Sequence, residues 1–155
     1  MIIHIIAVGT KMPSWVTQGV DEYLRRMPNE CLVKFVELPL GTRAKTKNIK
    51  QAMQQEEKSI LAAIPNNSIV IAMVVKGKIW STETLSEKMQ DWMQSGKDVT
   101  LLVGGPDGMT QTCINKAAEK WSLSNLTLPH PLVRIVLAEQ LYRALMIIKN
   151  HPYHK

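Results

Sequence analysis

The chain has 155 residues, of which 45% are hydrophobic and 21% are charged, a composition typical of a globular protein rather than a disordered or fibrous one. This length predicts one domain, residues 1–155, and no apolar run approaches the ~20 residues that a membrane-spanning helix needs. The formal net charge of +6 favours a polyanionic partner such as RNA or DNA.

The two cysteines and the first residues predict a cytoplasmic protein. Cys31 and Cys113 are far apart and form no CxxC motif, which favours reduced thiols that act as small buried hydrophobes. The opening segment MIIHIIAVGTKM is apolar, but it is too short and too weakly basic for a signal peptide.

Five apolar segments predict β-strands. Most are nearly continuous runs, as expected of strands that are covered on both faces. The predicted strands are IIHIIAV (2–8), LVKFVEL (32–38), IVIAMVV (69–75), VTLLV (99–103) and NLTL (125–128).

Helical periodicity occupies the intervals between these strands. Ser14 is a suitable cap for the first helix. The predicted helices run from Ser14 to the residue before Pro28, and over 48–63, 82–94, 110–121 and 132–148. The alternation of strand and helix predicts an α/β domain with a mostly parallel sheet flanked by helices.

Three loops leave the predicted strands at the edge where open parallel sheets bind ligands. They are VVKGK after the third strand, GGPDG after the fourth and PHP after the fifth. Glycines at 104, 105 and 108 would let a ligand approach bare backbone, although a plain tight turn explains them equally well. His130 precedes a proline, which favours extended backbone, so we assign it to shaping its loop rather than to catalysis.

The last predicted helix is apolar on nearly every side. Of the 17 residues at 132–148, 13 are apolar, and a helix of this kind must be buried on more than one side. A second copy of the chain, related by a two-fold axis, is the favoured covering surface. The alternative is a helix that is wholly central to the core of one chain.

Six segments resemble the bacterial RlmH family, which are SPOUT-class methyltransferases that act on a pseudouridine of 23S ribosomal RNA. The resemblance extends from the first strand to the last residue, and its specificity lies in the combination. The segments are AVGTKMPSWV (7–16), EYLRR (22–26), LVGGPDG (102–108), LTLPHPLVR (126–134), EQLYRA (139–144) and NHPYHK (150–155).

This resemblance implies a homodimer whose C-terminal part is threaded into a trefoil knot. It also implies S-adenosyl-L-methionine as the cofactor, held at the knot by the three loops. Carried onto this chain, the cofactor-binding residues are Met73, Gly104, Leu123, Ser124, Asn125, Leu126, Thr127 and Leu128. Position 73 is Leu in many relatives, and methionine there should preserve an apolar slot for adenine.

The implied reaction is methyl transfer to N3 of a pseudouridine in 23S rRNA of the assembled ribosome. Because N3 must lose its proton, the site needs a base or a cationic group that stabilises the anion. We assign the cationic role to Arg143. We expect Tyr153 and His154 to orient the base or to accept its proton. No metal is expected, because the histidines of the tail have no cysteine or carboxylate at a ligand spacing.

The chain has no appended RNA-binding module, so its own basic residues would contact the phosphates of the ribosomal RNA. The candidates are Arg25, Arg26, Arg43, Lys45 and Lys47. Three other functions remain open: a ribosome-binding protein without activity, a SPOUT enzyme for another RNA such as tRNA, and a nucleotide-binding dehydrogenase. The dehydrogenase is the weakest of these, because the GxGxxG fingerprint is missing.

Overall fold

Strands and helices alternate along the whole chain. The computed structural model describes residues 1–43 and 48–154, without the side chain of His154. Its elements are β1 (Ile2–Val8), α1 (Ser14–Leu24), β2 (Leu32–Leu38), α2 (Ile49–Ala63), β3 (Ile69–Ile79), α3 (Thr82–Ser95), β4 (Val99–Val103), α4 (Gln111–Lys116), β5 (Glu119–Ser122), α5 (His130–Ile148) and a 3₁₀ helix (Pro152–His154).

The strands form one parallel sheet in the order β2-β1-β4-β3-β5, as far as the chain is described. The predicted α/β class with a parallel sheet is therefore confirmed. Side chains of β1 point alternately to its two faces. Ile3, Ile5 and Ala7 pack in the cluster that includes α1, α3 and α5, whereas Ile6 and Val8 pack in the cluster that includes α2 and α4. Helices thus cover both faces, as the continuous apolar runs predicted.

The fourth helix and fifth strand differ from the prediction. Helix α4 ends at Lys116, and the amide of Ala118 donates to the carbonyl of Val70 at 2.8 Å, which begins the pairing of β5 with β3. Trp121 consequently lies in β5, where its ring stacks on Trp80 with centroids 4.6 Å apart. The predicted strand over 125–128 is wrong, and that segment is a loop.

Strand β3 is longer than predicted, because it continues through the KGK segment to Ile79. Its pairing with β5 is interrupted: Met73 and Lys78 both align with Trp121, so residues 74–77 bulge out of the ladder. The expectation of a separate loop after residue 75 is therefore wrong, although the bulge lies where that loop was expected.

The ends of two helices also differ. Ser14 makes no capping bond; Pro13 is the N-cap residue of α1, and the helix ends at Leu24 rather than just before Pro28. The amide of Met27 bonds to the carbonyl of Leu24, a tighter turn that fits the exclusion of helical backbone before a proline. His130 is the first residue of α5 rather than extended, and Pro131 follows in the first turn, where a proline lacks no needed donor.

Helix α5 is buried mainly within its own chain. It contacts α1, α3 and the 3₁₀ helix, and of its residues only Leu132 is exposed. Leu137, Leu141 and Leu145 are fully buried. A central position in the core therefore accounts for the apolar cross-section of α5, and that pattern alone does not require a second chain.

The cysteines are buried thiols, and the length and apolar character of each helix decide whether it can cross a membrane. Cys31 and Cys113 are free and buried, as predicted, and burial raises the pKa of Cys31 to about 11, so its thiol stays protonated. Within the described residues, no helix combines the length and apolar character needed to cross a membrane.

Candidate cofactor cavity and its surroundings

The carboxyl ends of β3, β4 and β5 surround a cavity of about 690 Å³. Parallel strands bring their carboxyl ends to one edge of a sheet, and this is the edge where α/β proteins bind ligands. The volume lies within the ~300–1,000 Å³ typical of small-molecule sites. Its walls come from the bulge of β3, the loop after β4, the segment after β5 and the first turn of α5.

The residues that the resemblance assigns to the cofactor come together in this cavity. They derive from β3 and from the segments after β4 and β5, and they lie up to 55 positions apart in the sequence. Those that line the cavity are Met73, Gly104, Leu123, Ser124, Leu126, Thr127 and Leu128. Asn125 is exposed and is not among the lining residues.

The glycine loop, residues 104–108, presents backbone to the cavity. A Cβ atom at Gly104 would lie 2.8 Å from the backbone carbon of Gly108, so no larger residue fits there without a shift. The amide of Gly108 donates to the carbonyl of Gly105 at 3.0 Å, and Gly108 has a φ of +82°, which favours glycine. The loop is therefore a tight turn, as one interpretation predicted, and also a wall of the cavity; ligand binding by this loop stays a prediction.

His130 and Arg134 connect the start of α5 to the loops beside the cavity. His130 lines the cavity, and its ring interacts with the backbone of Gly104. The buried guanidinium of Arg134 donates from Nε to His130 Nε2 at 2.9 Å, from Nη2 to the carbonyl of Gly9 at 2.7 Å, and from Nη1 to Glu37. The first turn of α5 is thus bonded to the loops after β1 and β4. Sequence reasoning assigned His130 to a structural role but did not identify Arg134.

Sequence reasoning also missed several cavity residues. Lys76 and Lys120 bring positive charge to the wall, and Trp121 contributes to it from β5. Val75 is an apolar side chain of the wall that is 78% exposed, much like the predicted Leu126 at 75%. The KGK segment was the available signal for Lys76, but the position of β5 was needed to find the others.

A second polar cluster lies at the other end of α5. Arg143 donates from Nε to Glu139 Oε1 at 2.8 Å, and its guanidinium lies 4.9 Å from the centroid of the Tyr153 ring. The hydroxyl of Tyr153 donates to the same carboxylate oxygen at 3.3 Å. Burial and the nearby Glu139 raise the pKa of Tyr153, which keeps its phenol protonated at neutral pH. The side chain of His154 lies outside the description.

The predicted catalytic and cofactor residues are therefore separate within one chain. Neither Arg143 nor Tyr153 lines the cavity, whereas His130 does. At about 1.5 Å of rise per residue, Arg143 lies roughly 20 Å along α5 from His130. The predicted helix over 132–148 implies the same separation, because helical rise and residue spacing are all that this distance depends on.

The predicted RNA-binding residues have different environments. Arg25 and Arg26 are exposed near the end of α1, and both pair with Glu22. The Arg43 side chain is only 23% exposed and pairs with Glu56 and Asp107. Lys45 and Lys47 lie outside the described residues. In the described part of the chain, no group of three or more His, Cys, Asp or Glu side chains could hold a metal ion.

Comparisons with known proteins identify similar sequences over the full length. The family model described as "Predicted SPOUT methyltransferase" matches residues 1–154. A curated protein of Saccharophagus degradans, named ribosomal RNA large subunit methyltransferase H, is 53% identical over 155 residues, which cover 100% of both chains. A protein of the same name from Marinomonas sp. is 50% identical, again over 100% of both chains.

Solved structures match the fold at low sequence identity. A probable methylase family protein of Haemophilus influenzae has a TM-score of 0.55 and 13% identity, over 99% of this chain and 70% of its own. A putative methylase family protein of Neisseria gonorrhoeae has a TM-score of 0.51 and 12% identity, over 90% of this chain and 81% of its own. At such identities the match supports the arrangement of strands and helices only.

Proposed function

We propose that this chain, which belongs to the SPOUT methyltransferase family, methylates N3 of a pseudouridine in 23S rRNA of the assembled ribosome. The proposed methyl donor is S-adenosyl-L-methionine. The observation that carries the proposal is the cavity, which brings together residues of three separate segments that the family resemblance assigns to the cofactor. Full-length relatives at about 50% identity, named as methyltransferases of the large-subunit RNA, support the substrate class.

The cavity fits the proposed cofactor in size and chemistry. Met73, Leu123 and Leu128 provide an apolar surface for an adenine ring, and the bare backbone at Gly104 can approach polar groups closely. Lys76 and Lys120 can pair with a carboxylate. When bound, S-adenosyl-L-methionine supplies an electrophilic methyl group. The residues of the chain bind and orient it.

The proposed catalytic group is the cluster at the end of α5. The guanidinium of Arg143 is positioned by Glu139, and it would stabilise the negative charge that develops on the base when N3 loses its proton. Because its pKa is raised, Tyr153 is suited to donate a hydrogen bond or stack on the base, and is not suited to accept a proton. Proton acceptance remains with His154 among the proposed residues.

We further propose that the active enzyme is a homodimer. A site that includes both the cavity and Arg143 cannot form within one chain if they lie about 20 Å apart along a helix. A two-fold dimer would join the cavity of one protomer to the Arg143 cluster of its partner. The argument for the dimer is therefore this separation, and no longer the apolar cross-section of α5.

We also propose that the C-terminal part of the chain is threaded into a trefoil knot. It is supported by the path of the chain after β5, which lies at the sheet edge beyond β3. From there the chain returns across the carboxyl edge to His130, beside Gly104, and to Arg134, beside Gly9. A passage behind the glycine loop would produce the knot that the family resemblance implies.

The ribosomal RNA would contact exposed basic side chains of the chain, in the cytoplasm where ribosomes are found. Arg25 and Arg26 remain the best-placed described candidates, because their pairs with Glu22 are exposed and contribute little stability. Phosphate contact by Arg43 would require it to leave two carboxylates. Charge reversal of Lys45 and Lys47 should weaken binding to ribosomes and reduce its salt dependence.

Methylation of purified ribosomes tests the function itself. Ribosomes from a strain that lacks the gene should accept one methyl group from labelled S-adenosyl-L-methionine when the purified protein is added. Mass mapping of 23S rRNA before and after treatment should locate the methyl group on one pseudouridine. Bulk tRNA from the same strain is the control, and methylation of tRNA instead of ribosomes would move the proposal to another RNA. Tight ribosome binding without incorporation would favour the non-enzymatic alternative.

A further inference from the structure

The outer side of the glycine loop is attached to helix α2 by a chain of charged side chains. Its inner side lines the cavity through Gly104, Gly105, Pro106 and Gly108. Asp107 is not among the lining residues, and its carboxylate instead accepts a hydrogen bond from Arg43 Nε at 3.0 Å.

The inner anchor of this chain is Glu56 of α2, which is 3% exposed. Its Oε2 accepts from the amide of Gly41 at 2.8 Å and from Arg43 Nη1 at 2.7 Å. Arg43 Nη1 also donates to the carbonyl of Gly41 at 3.1 Å. A buried carboxylate requires a paired charge, so Arg43 is held against Glu56 and its remaining face is directed to Asp107.

The loop contacts α2 at two further points. A Cβ atom at Gly105 would lie 3.2 Å from Glu56 Oε1, so the absence of a side chain lets the loop pack directly on this carboxylate. Two residues beyond the loop, at the N-cap of α4, the hydroxyl of Thr110 donates to Glu57 Oε1 at 2.5 Å. Consecutive carboxylates of α2 thus contact both ends of one cavity wall.

We infer that Arg43 and Asp107 are positioning residues that hold the glycine loop in its cofactor-binding shape. Arg43 is then a bridge between two carboxylates instead of an RNA contact. The inference rests on the proposed function, because it assumes that S-adenosyl-L-methionine binds against this loop. A pre-shaped loop favours binding, since less ordering is needed when the ligand enters.

Asp107→Asn is the sharpest variant, because it weakens the link to the loop and leaves the buried pair of Arg43 and Glu56 intact. The dissociation constant for S-adenosylhomocysteine, measured by calorimetry, should rise about five- to tenfold, the range for one partly exposed charge-assisted hydrogen bond. The KM for the cofactor should rise with it, while kcat on ribosomes stays close to wild type. Glu30→Gln is the matched control, because it removes a carboxylate from an exposed pair with Lys149.

A second experiment asks whether Asp107 acts through Arg43. The double variant Arg43→Gln with Glu56→Gln removes both buried charges, so no buried carboxylate is left unpaired, and Asp107 loses only its link to Arg43. In that background, Asp107→Asn should have no further effect on the dissociation constant. An equal effect in both backgrounds would overturn the bridge. So would an Asp107→Asn protein with a lower melting temperature and unchanged affinity, because this result would indicate a purely structural role.

The outcome distinguishes this inference from the proposed function. If the wild-type protein bound no S-adenosylhomocysteine, the cofactor assignment would fail, and the inference with it. If wild type and Asp107→Asn bound it equally well, the inference alone would fail.

Discussion

Arg134 and His130 form a pair whose protonation is determined by geometry. A guanidinium can only donate hydrogen bonds, so His130 Nε2 must accept from Arg134 Nε, and the imidazole proton lies on Nδ1. The neutral ring can then bond with the backbone of Gly104. Burial, together with the charge of Arg134, lowers the pKa of His130. One histidine thus connects the core to the cavity wall while it remains neutral.

This lowered pKa predicts a pH dependence of stability. As the pH falls below about 6.5, the ordinary pKa of histidine, the unfolded chain binds a proton at position 130 before the folded chain does. The free energy of unfolding should therefore decrease from that pH down to the folded pKa and stay level above it. Urea denaturation between pH 5 and 8 measures the slope, and His130→Gln should remove the contribution of His130. A variant that kept the full wild-type slope would contradict the assignment.

At the level of elements, the contact of β3 with β5 shapes one side of the cavity. The two strands pair on both sides of the bulge, and Gly77 lies directly over the backbone of Trp121. A Cβ atom at Gly77 would be 2.7 Å from the nitrogen and the carbonyl carbon of Trp121. Neither strand can make room by rotating a side chain, so glycine is required for this pairing.

Gly77→Ala should consequently destabilise the protein by about 1–3 kcal/mol, as overpacking generally does. Gly19→Ala is the matched control, because its nearest contact is the end of the flexible Ile135 side chain, at 2.9 Å. In an α-helix the same exchange also gains about 1 kcal/mol of propensity, so Gly19→Ala should be close to neutral. Chemical denaturation measures both. Equal effects of the two changes would refute the proposed clash with Trp121.

For the whole molecule, the separation of the cavity from Arg143 means that a site with both parts would have to be built from two chains. Each end of α5 carries one half of the proposed machinery, and the helix itself is rigidly packed between α1 and α3. No bending of such a buried helix would bring its two ends together. In the proposed homodimer, the partner chain would supply the missing half.

Mixed dimers test this arrangement. Arg143→Ala should lose methylation but retain cofactor binding, and Thr127→Trp should obstruct the cavity and leave the Arg143 cluster intact. Co-expressed with different tags, the two variants should recover about a quarter of wild-type activity, since half of the randomly paired dimers are mixed and each has one intact composite site. No recovery in verified mixed dimers would place Arg143 and the cavity in the same protomer's site.

Much of the fold was predictable because its signals are local. The apolar runs of β1, β2 and β4 occur at the predicted residues, and α2 and α3 agree within one residue at either end. Strand β5 was missed because EKWS is short and three of its four residues are polar, which an edge strand tolerates. Its pairing depends on β3, whose extension and bulge no local pattern indicated.

The candidate site was predictable only as a set of loops. The alternation of strands and helices placed three loops at one edge, and the resemblance selected residues within them. The link from Glu56 through Arg43 to Asp107 was not predictable, since Asp107 is 64 positions from Arg43 and each charge looks like an ordinary surface charge in the sequence. From the sequence alone, Arg43 was interpreted as a phosphate contact because its two carboxylate partners could not be seen.

The sequence by itself determined the α/β class, the parallel sheet, the glycine loop at its carboxyl edge and the burial of α5 on more than one side. These features follow from periodicity and from glycine and proline, which act over a few residues. Only the tertiary structure decided that α5 is covered by α1 and α3, that Arg43 bridges two carboxylates, and that the cavity forms beside the first turn of α5. Burial partners, ion pairs and distances between sites are relations between distant segments, and they exist only once the chain has folded.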